Sequence, residues 1–143
     1  MAATCPVGFD VAGPRAKVLA TYDRVARDPG GDFHFHRGPR YAADYLRYDA
    51  DELASLREAC TARFAGVGNP LRIRPIHPGE TVVDHACGAG MDLLLAARRV
   101  GTRGHAFGVD MTSAMREVAS YAAAEAGLAA IVTVGAGSSS NYP

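Results

Sequence analysis

The stretch Val82-Val83-Asp84-His85-Ala86-Cys87-Gly88-Ala89-Gly90-Met91-Asp92 constrains this chain more than any other. A β-branched run enters it, glycines at 88 and 90 interrupt it, and Leu93, Leu94, Ala97 and Val100 leave it at helical spacing. That order reads as strand, tight turn, helix. In an α/β fold such a turn lies at the carboxyl edge of the sheet, where ligands bind. Without β-carbons, Gly88 and Gly90 let a ligand lie against backbone, and the helix start offers free N–H groups to an anionic group. Asp110 follows Gly90 by 20 positions. A carboxylate there can accept hydrogen bonds from both hydroxyls of a ribose. A nicotinamide-binding turn would read G-x-G-x-x-G, but Leu93 takes the place of the third glycine. A tight turn that binds nothing is the bland alternative; the joint presence of Asp84, the turn and Asp110 weighs against it.

The rest of the second half repeats the alternation. Ala106-Phe107-Gly108-Val109-Asp110 is a second strand, and Thr112 is placed to cap a helix carrying Met115, Val118, Ala119, Ala122 and Ala126, ended by Gly127. Residues 130–134 form a third strand. Strand–helix–strand–helix–strand in about 55 residues predicts a parallel, Rossmann-like α/β sheet of about three strands.

The first half is helical in pattern. Residues 1–13 read as a flexible tail. Pro14 suits a first helical turn, and Val18, Leu19, Tyr22, Val25 and Ala26 follow on one stripe up to Asp28-Pro29-Gly30-Gly31. Phe33-His34-Phe35-His36 alternates with period two, as a strand would. Tyr41, Tyr45 and Tyr48 suggest a short helix, either packing or covering a ligand. Asp49 and Glu52 resemble a capping box opening a helix with Leu53, Leu56, Cys60 and Phe64 on one face. The expected organisation is a tail at 1–13, a helical lid-like segment at 14–78, a partial Rossmann-like domain at 79–134 and a flexible end at 135–143.

Composition excludes several alternatives. With 15 basic and 15 acidic residues, the chain offers no electrostatic case for nucleic acid or an anionic membrane. No apolar run approaches the roughly 20 residues that cross a bilayer. Cys5, Cys60 and Cys87 are odd in number and widely spaced, which argues against a disulfide framework and suits a reducing, cytoplasmic setting. His34 and His36 would share one side of a strand, but no third ligand lies nearby, so no metal is expected. Cys87 reads as a small loop filler rather than a nucleophile.

Val83-Asp84-His85-Ala86-Cys87-Gly88-Ala89-Gly90 resembles the first motif of the class I S-adenosylmethionine-dependent methyltransferases, usually V-L-D-x-G-C-G-x-G. Gly108-Val109-Asp110-Met111-Thr112 is similar to their second-strand motif, and to the arsenite methyltransferase-like branch in particular. Phe33-His34-Phe35-His36-Arg37-Gly38 and Phe64-Ala65-Gly66-Val67-Gly68-Asn69-Pro70 look like leader segments of that branch. The resemblance runs from about residue 15 to about residue 134. It implies S-adenosylmethionine as cofactor, a small-molecule methyl acceptor, and a site containing Asp84, Ala86, Cys87, Gly88, Gly90, Asp110 and Met111. Within that site it implies that Gly88 and Gly90 line the methionine portion and that Asp110 holds the ribose. Met111 would pack on the adenine, and Asp84 would orient the methionine amino end.

Three departures stand out. Ala86 occupies the usual first glycine of the motif. Val67 lies where arsenite methyltransferases are expected to carry a metalloid-binding cysteine, and an aliphatic side chain cannot bind arsenic. Family members continue past the third strand, whereas this sequence turns to Gly135-Ala136-Gly137-Ser138-Ser139-Ser140. Such a chain is expected to be C-terminally truncated. It would leave the edge of Thr81-Val82-Val83 open, and would be marginally stable or would form a homodimer through that edge. The expected function is methyl transfer from S-adenosylmethionine, or the cofactor-binding part of such an enzyme; the alternative is a non-catalytic remnant or interaction protein. No catalytic base is assigned.

Overall fold

The computed structural model describes residues 10–137. Its elements run α1 (Ala12–Arg27), α2 (Gly38–Leu46), α3 (Ala50–Ala54), α4 (Glu58–Thr61), β1 (Thr81–His85), α5 (Met91–Val100), β2 (His105–Asp110), α6 (Ser113–Glu125) and β3 (Val132–Ala136). The sheet is parallel, ordered β1-β2-β3, with Val83 beside Phe107 and Phe107 beside Thr133. The three strands expected from sequence are present, and the fold is α/β.

α5 owes its position to the apolar run that follows the glycine turn. Leu93, Leu94 and Leu95 are all buried, each contributing about 2 kcal/mol relative to exposure. One side of α5 lies against the sheet, where Gly108 is required: a β-carbon there would come within 2.5 Å of Leu93 Cδ2 and 2.9 Å of Cys87 Sγ. Leu93, Ala97, Ala106 and Cys87 form this layer. The opposite sheet face carries Val83 (59% exposed) and Phe107 (38% exposed).

The N-terminal segment packs on the outer side of α5 and α6. Tyr48, Leu53, Leu56, Cys60 and Phe64 join Met91, Leu94, Leu95, Ala122 and Ala123 in one buried cluster. Polar contacts fix the register: Arg99 pairs with Glu52 at 2.9 Å, Arg57 pairs with Glu125, and Arg98 donates to the Ser55 carbonyl at 3.1 Å. Val25 and Ala26 of α1 meet Met115 of α6 and Ala89 of the glycine loop.

Several local expectations need correction. Residues 33–36 form no strand. Phe33 and Phe35 face inward while His34 and His36 remain exposed, so the period-two pattern records burial without a sheet partner. Arg37 fastens this loop instead, donating to the carbonyls of Pro29 (2.9 Å) and Gly31 (2.7 Å) while its guanidinium lies 4.1 Å from the Phe33 ring centre. The helix expected after Asp49 is split into α3 and α4, although Leu53, Leu56, Cys60 and Phe64 are all buried as the pattern required. Asp49 caps α3 by accepting from the amides of Asp51 and Glu52, both at 2.9 Å. Glu52 turns to Arg99 rather than closing a capping box. α1 begins at Ala12, inside the expected tail, and β3 runs to Ala136, past the expected strand end. The remaining expectations for the two tails, Cys5 included, lie outside the described residues.

Candidate functional site

A cavity of about 550 Å³ opens at the carboxyl end of β1 and β2. The glycine loop and Asp84, Asp92 and Asp110 line it from the sheet side, and Tyr22, Cys60, Phe64 and Val67 from the N-terminal segment. Every sequence-predicted site residue except Gly90 borders it: Asp84, Ala86, Cys87, Gly88, Asp110 and Met111. Gly90 sits beneath, as the residue before α5.

The loop's shape follows from its backbone angles. Ala86, Gly88 and Gly90 all have positive φ, at 61°, 53° and 90°. Ala86 therefore adopts the left-handed conformation that costs a side-chain-bearing residue about 1–2 kcal/mol, which explains why glycine is usual there. At Gly88 an added β-carbon would meet nothing within 4 Å, so the loop presents an open ledge. At Gly90 the same atom would sit 3.0 Å from Ala119 Cβ, so this glycine lets the loop settle on α6.

Asp110 ties the loop to β2. Its Oδ2 accepts from the Gly88 amide at 2.9 Å and its Oδ1 from the Thr112 amide at 2.8 Å. Each oxygen keeps a further lone pair for a ligand hydroxyl. The Cys87 amide donates to the Val109 carbonyl at 3.1 Å, a second clasp between loop and strand.

Asp84 differs from its neighbours. Its Oδ2 is fully buried and has no hydrogen-bond partner among the described residues. Burial, and then the charges of Asp92 and Asp110, push the Asp84 carboxyl up to about 7; a backbone hydrogen bond from Leu93 works the other way. Asp92 is also raised by burial, opposed by a hydrogen bond from Tyr48. That bond is short, with the Tyr48 hydroxyl donating to Asp92 Oδ1 at 2.7 Å. Burial, followed by the charge of Asp92, raises the Tyr48 phenol and drives Cys60 up to about 12. Burial and the charge of Asp84 do the same to Cys87. Both cavity thiols are therefore neutral, and a reactive thiolate at Cys87 is not supported.

Sequence reasoning missed Tyr48 and Asp92 as a pair. Tyr48 was grouped with Tyr41 and Tyr45 on one helix, but Arg47 takes a left-handed conformation (φ 59°), ends α2 and leaves Tyr48 buried. Asp92 lies in the first turn of α5, where an acidic residue ordinarily needs no explanation beyond the helix dipole. Tyr41 and Tyr45 do not line the cavity; both stack with His36, at 5.3 and 6.0 Å. Among the described residues, no group of three His, Cys, Asp or Glu side chains could hold a metal ion. No described helix is long and apolar enough to cross a membrane.

Comparison with known proteins adds an independent line. Residues 76–139 match the family model described as "Methyltransferase domain". An arsenite methyltransferase of Halobacterium salinarum is 47% identical over 73 residues, which is 51% of this chain and 18% of that protein. An arsenic(III) S-adenosylmethionine methyltransferase from Chlamydomonas reinhardtii superposes with a TM-score of 0.54 at 34% identity, over 61% of this chain and 30% of that one. A geranyl diphosphate methyltransferase, solved with GPP and sinefungin, shares the fold at 22% identity and a TM-score of 0.52, over 90% of this chain and 50% of the other. The chain thus spans under a third of the two arsenic-methylating relatives. Residues 76–139 are similar to a methyltransferase domain, and the chain is similar to the arsenite methyltransferase-like branch of the S-adenosylmethionine-dependent methyltransferases.

Proposed function

We propose that the cavity binds S-adenosylmethionine and that this chain serves methyl transfer to a small-molecule acceptor. The observation that carries the reading is the buried, unpartnered Asp84 Oδ2 in the same cavity as the Gly88 ledge. A buried carboxylate without a partner is costly, and a ligand bearing an ammonium and a sulfonium relieves that cost. The ledge fits a ligand lying against backbone, and the spare lone pairs of Asp110 fit ribose hydroxyls. Bound S-adenosylmethionine would supply a methyl group already activated by positive sulfur. The protein's part is then to orient, through Asp84, Gly88, Asp110 and Met111, and to exclude water with Phe64, Met115 and Tyr22.

The arsenic relatives' acceptor is not carried over. Val67 has no sulfur, and Cys60 and Cys87 are held as neutral thiols, so among the described residues the cavity offers no thiolate to a metalloid. Calorimetric titration with S-adenosylmethionine and S-adenosylhomocysteine tests the reading. Binding of either at micromolar to millimolar concentration supports it, and Asp110→Asn is expected to weaken that binding at least tenfold. No binding of either ligand at millimolar concentration overturns it and leaves the non-catalytic alternative.

Two further parts of the reading rest on separate observations. The free, buried Cys60 and Cys87 support a reducing, cytoplasmic setting. The outer edge of β1, unpaired within the described sheet, together with exposed Val83, supports self-association of this chain through that edge. Sedimentation equilibrium should then show a concentration-dependent dimer; a monomer unchanged across the micromolar range overturns the interface.

A further inference from the structure

We propose that this cavity selects the sulfonium donor over its demethylated thioether product by charge, through an Asp84 that gives up its proton when the cationic ligand enters. The inference rests on the reading above and adds to it a proton and a selectivity.

The geometry separates three carboxyl groups in one cavity. Asp110 accepts from two backbone amides, at 2.9 and 2.8 Å. Asp92 accepts from the Tyr48 hydroxyl at 2.7 Å. Asp84 Oδ2 accepts from nothing. Like charges crowded into a poorly solvated cavity cannot all be ionised, and the proton resides on the group whose anion is least supported. That group is Asp84, and its carboxyl, held at about 7, is half protonated at neutral pH.

The surrounding cations do not change this assignment. Arg63 lines the cavity but donates to the carbonyls of Ala26 (2.6 Å) and Ala59 (2.7 Å). Arg116 donates to the Asp110 carbonyl at 2.9 Å. The remaining titratable neighbours, Cys60, Cys87 and Tyr48, are neutral at pH 7 because each is raised, and His85 lines the cavity beside Asp84.

S-adenosylmethionine carries one more positive charge than S-adenosylhomocysteine, the sulfonium. Entering a cavity of excess carboxyl groups, that charge stabilises the Asp84 anion and expels its proton. The thioether shares the ammonium but lacks the sulfonium, so it stabilises the Asp84 anion less and leaves more of the proton in place. Donor affinity therefore falls more steeply than product affinity as pH drops below 7. With the carboxyl at about 7, the ionised fraction falls about fivefold from pH 7 to pH 6, and donor affinity falls with it. Methyl transfer converts the favoured ligand into the disfavoured one, which eases exchange of spent donor for fresh.

The test is calorimetry of both ligands at pH 6 and pH 7, where their amino groups stay mainly protonated, in phosphate and in a buffer of high ionisation enthalpy. Wild-type protein should release about half a proton per S-adenosylmethionine at pH 7 and clearly less per S-adenosylhomocysteine. Asp84→Asn should abolish the release, which also separates Asp84 from His85, and Asp92→Asn should move its midpoint to lower pH. Equal release with both ligands, or none with either, overturns the inference while leaving the binding site intact. Failure of both ligands to bind overturns the site itself. The wild-type comparison decides even where a variant does not fold.

Discussion

Asp84→Asn should stabilise the ligand-free protein at pH 8 relative to pH 5. The Asp84 carboxyl moves from an ordinary 3.8 to about 7 on folding, roughly 3 units, or about 4 kcal/mol at the upper bound. The sign follows from proton counts. Below pH 4 both folded and unfolded chains hold the proton, and no penalty exists. Between about 4 and 7 the unfolded chain ionises while the folded one keeps its proton, so stability falls as pH rises. Above 7 the whole penalty is present. About 2 units of that window lie between pH 5 and pH 8, so the Asn variant should gain about 2–3 kcal/mol on wild type across the interval. Urea unfolding of both proteins at both pH values reads this as a widening of the gap in midpoint by about 1–2 M. Comparing the change in the gap removes Glu80 and every other shared group that is not coupled to Asp84. A gap that stays constant, or narrows toward pH 8, refutes the claim that Asp84 is buried at the expense of its charge.

Two other substitutions probe the glycine loop and the Tyr48–Asp92 bond. Ala86→Gly relieves a left-handed residue, and after the added freedom of the unfolded chain it should stabilise by about 0.5–1 kcal/mol, seen as a higher urea midpoint. Tyr48→Phe leaves the Asp92 carboxylate without its 2.7 Å donor and should cost about 1–3 kcal/mol at pH 8, the loss shrinking as pH falls and Asp92 takes up a proton. Adding Asp92→Asn to that variant should recover most of the loss; no recovery would mean that the tyrosine acts only by packing.

The sequence displays those features whose physics is local. A β-branched run, two glycines and a leucine run specify β1, the turn and α5, because strand and helix periods need only neighbouring residues. Ala86 was visible as a departure from the motif's first glycine, while its strain shows only in its φ of 61°. The burial of Leu53, Leu56, Cys60 and Phe64 was also legible, yet the break between α3 and α4 was not. It is stabilised by partners remote in sequence, Arg98 on Ser55 and Glu125 on Arg57. The Phe-His alternation failed as a strand for a related reason. Period two requires a neighbouring ladder, and Arg37 claims the carbonyls of this loop before any strand can. The Tyr48–Asp92 bond joins residues 44 apart and follows no repeat, so no pattern announces it.

That remote bond also explains why the cavity can hold three carboxyl groups at all. Phe64, Tyr22 and Met115 contribute apolar wall to the same cavity, so the carboxyls there meet fewer polar groups. A buried carboxyl needs its own donor. Asp110 takes backbone amides made available by the glycine loop, and Asp92 takes a phenol delivered by the turn after α2. Asp84, on β1, faces the space that the loop leaves open, and receives only the Leu93 amide. Supplying a second protein donor to Asp84 would stabilise the fold and remove the cavity's preference for a cation. The missing partner is therefore a stability cost with a binding counterpart, and the two should move in opposite directions in any variant that provides it.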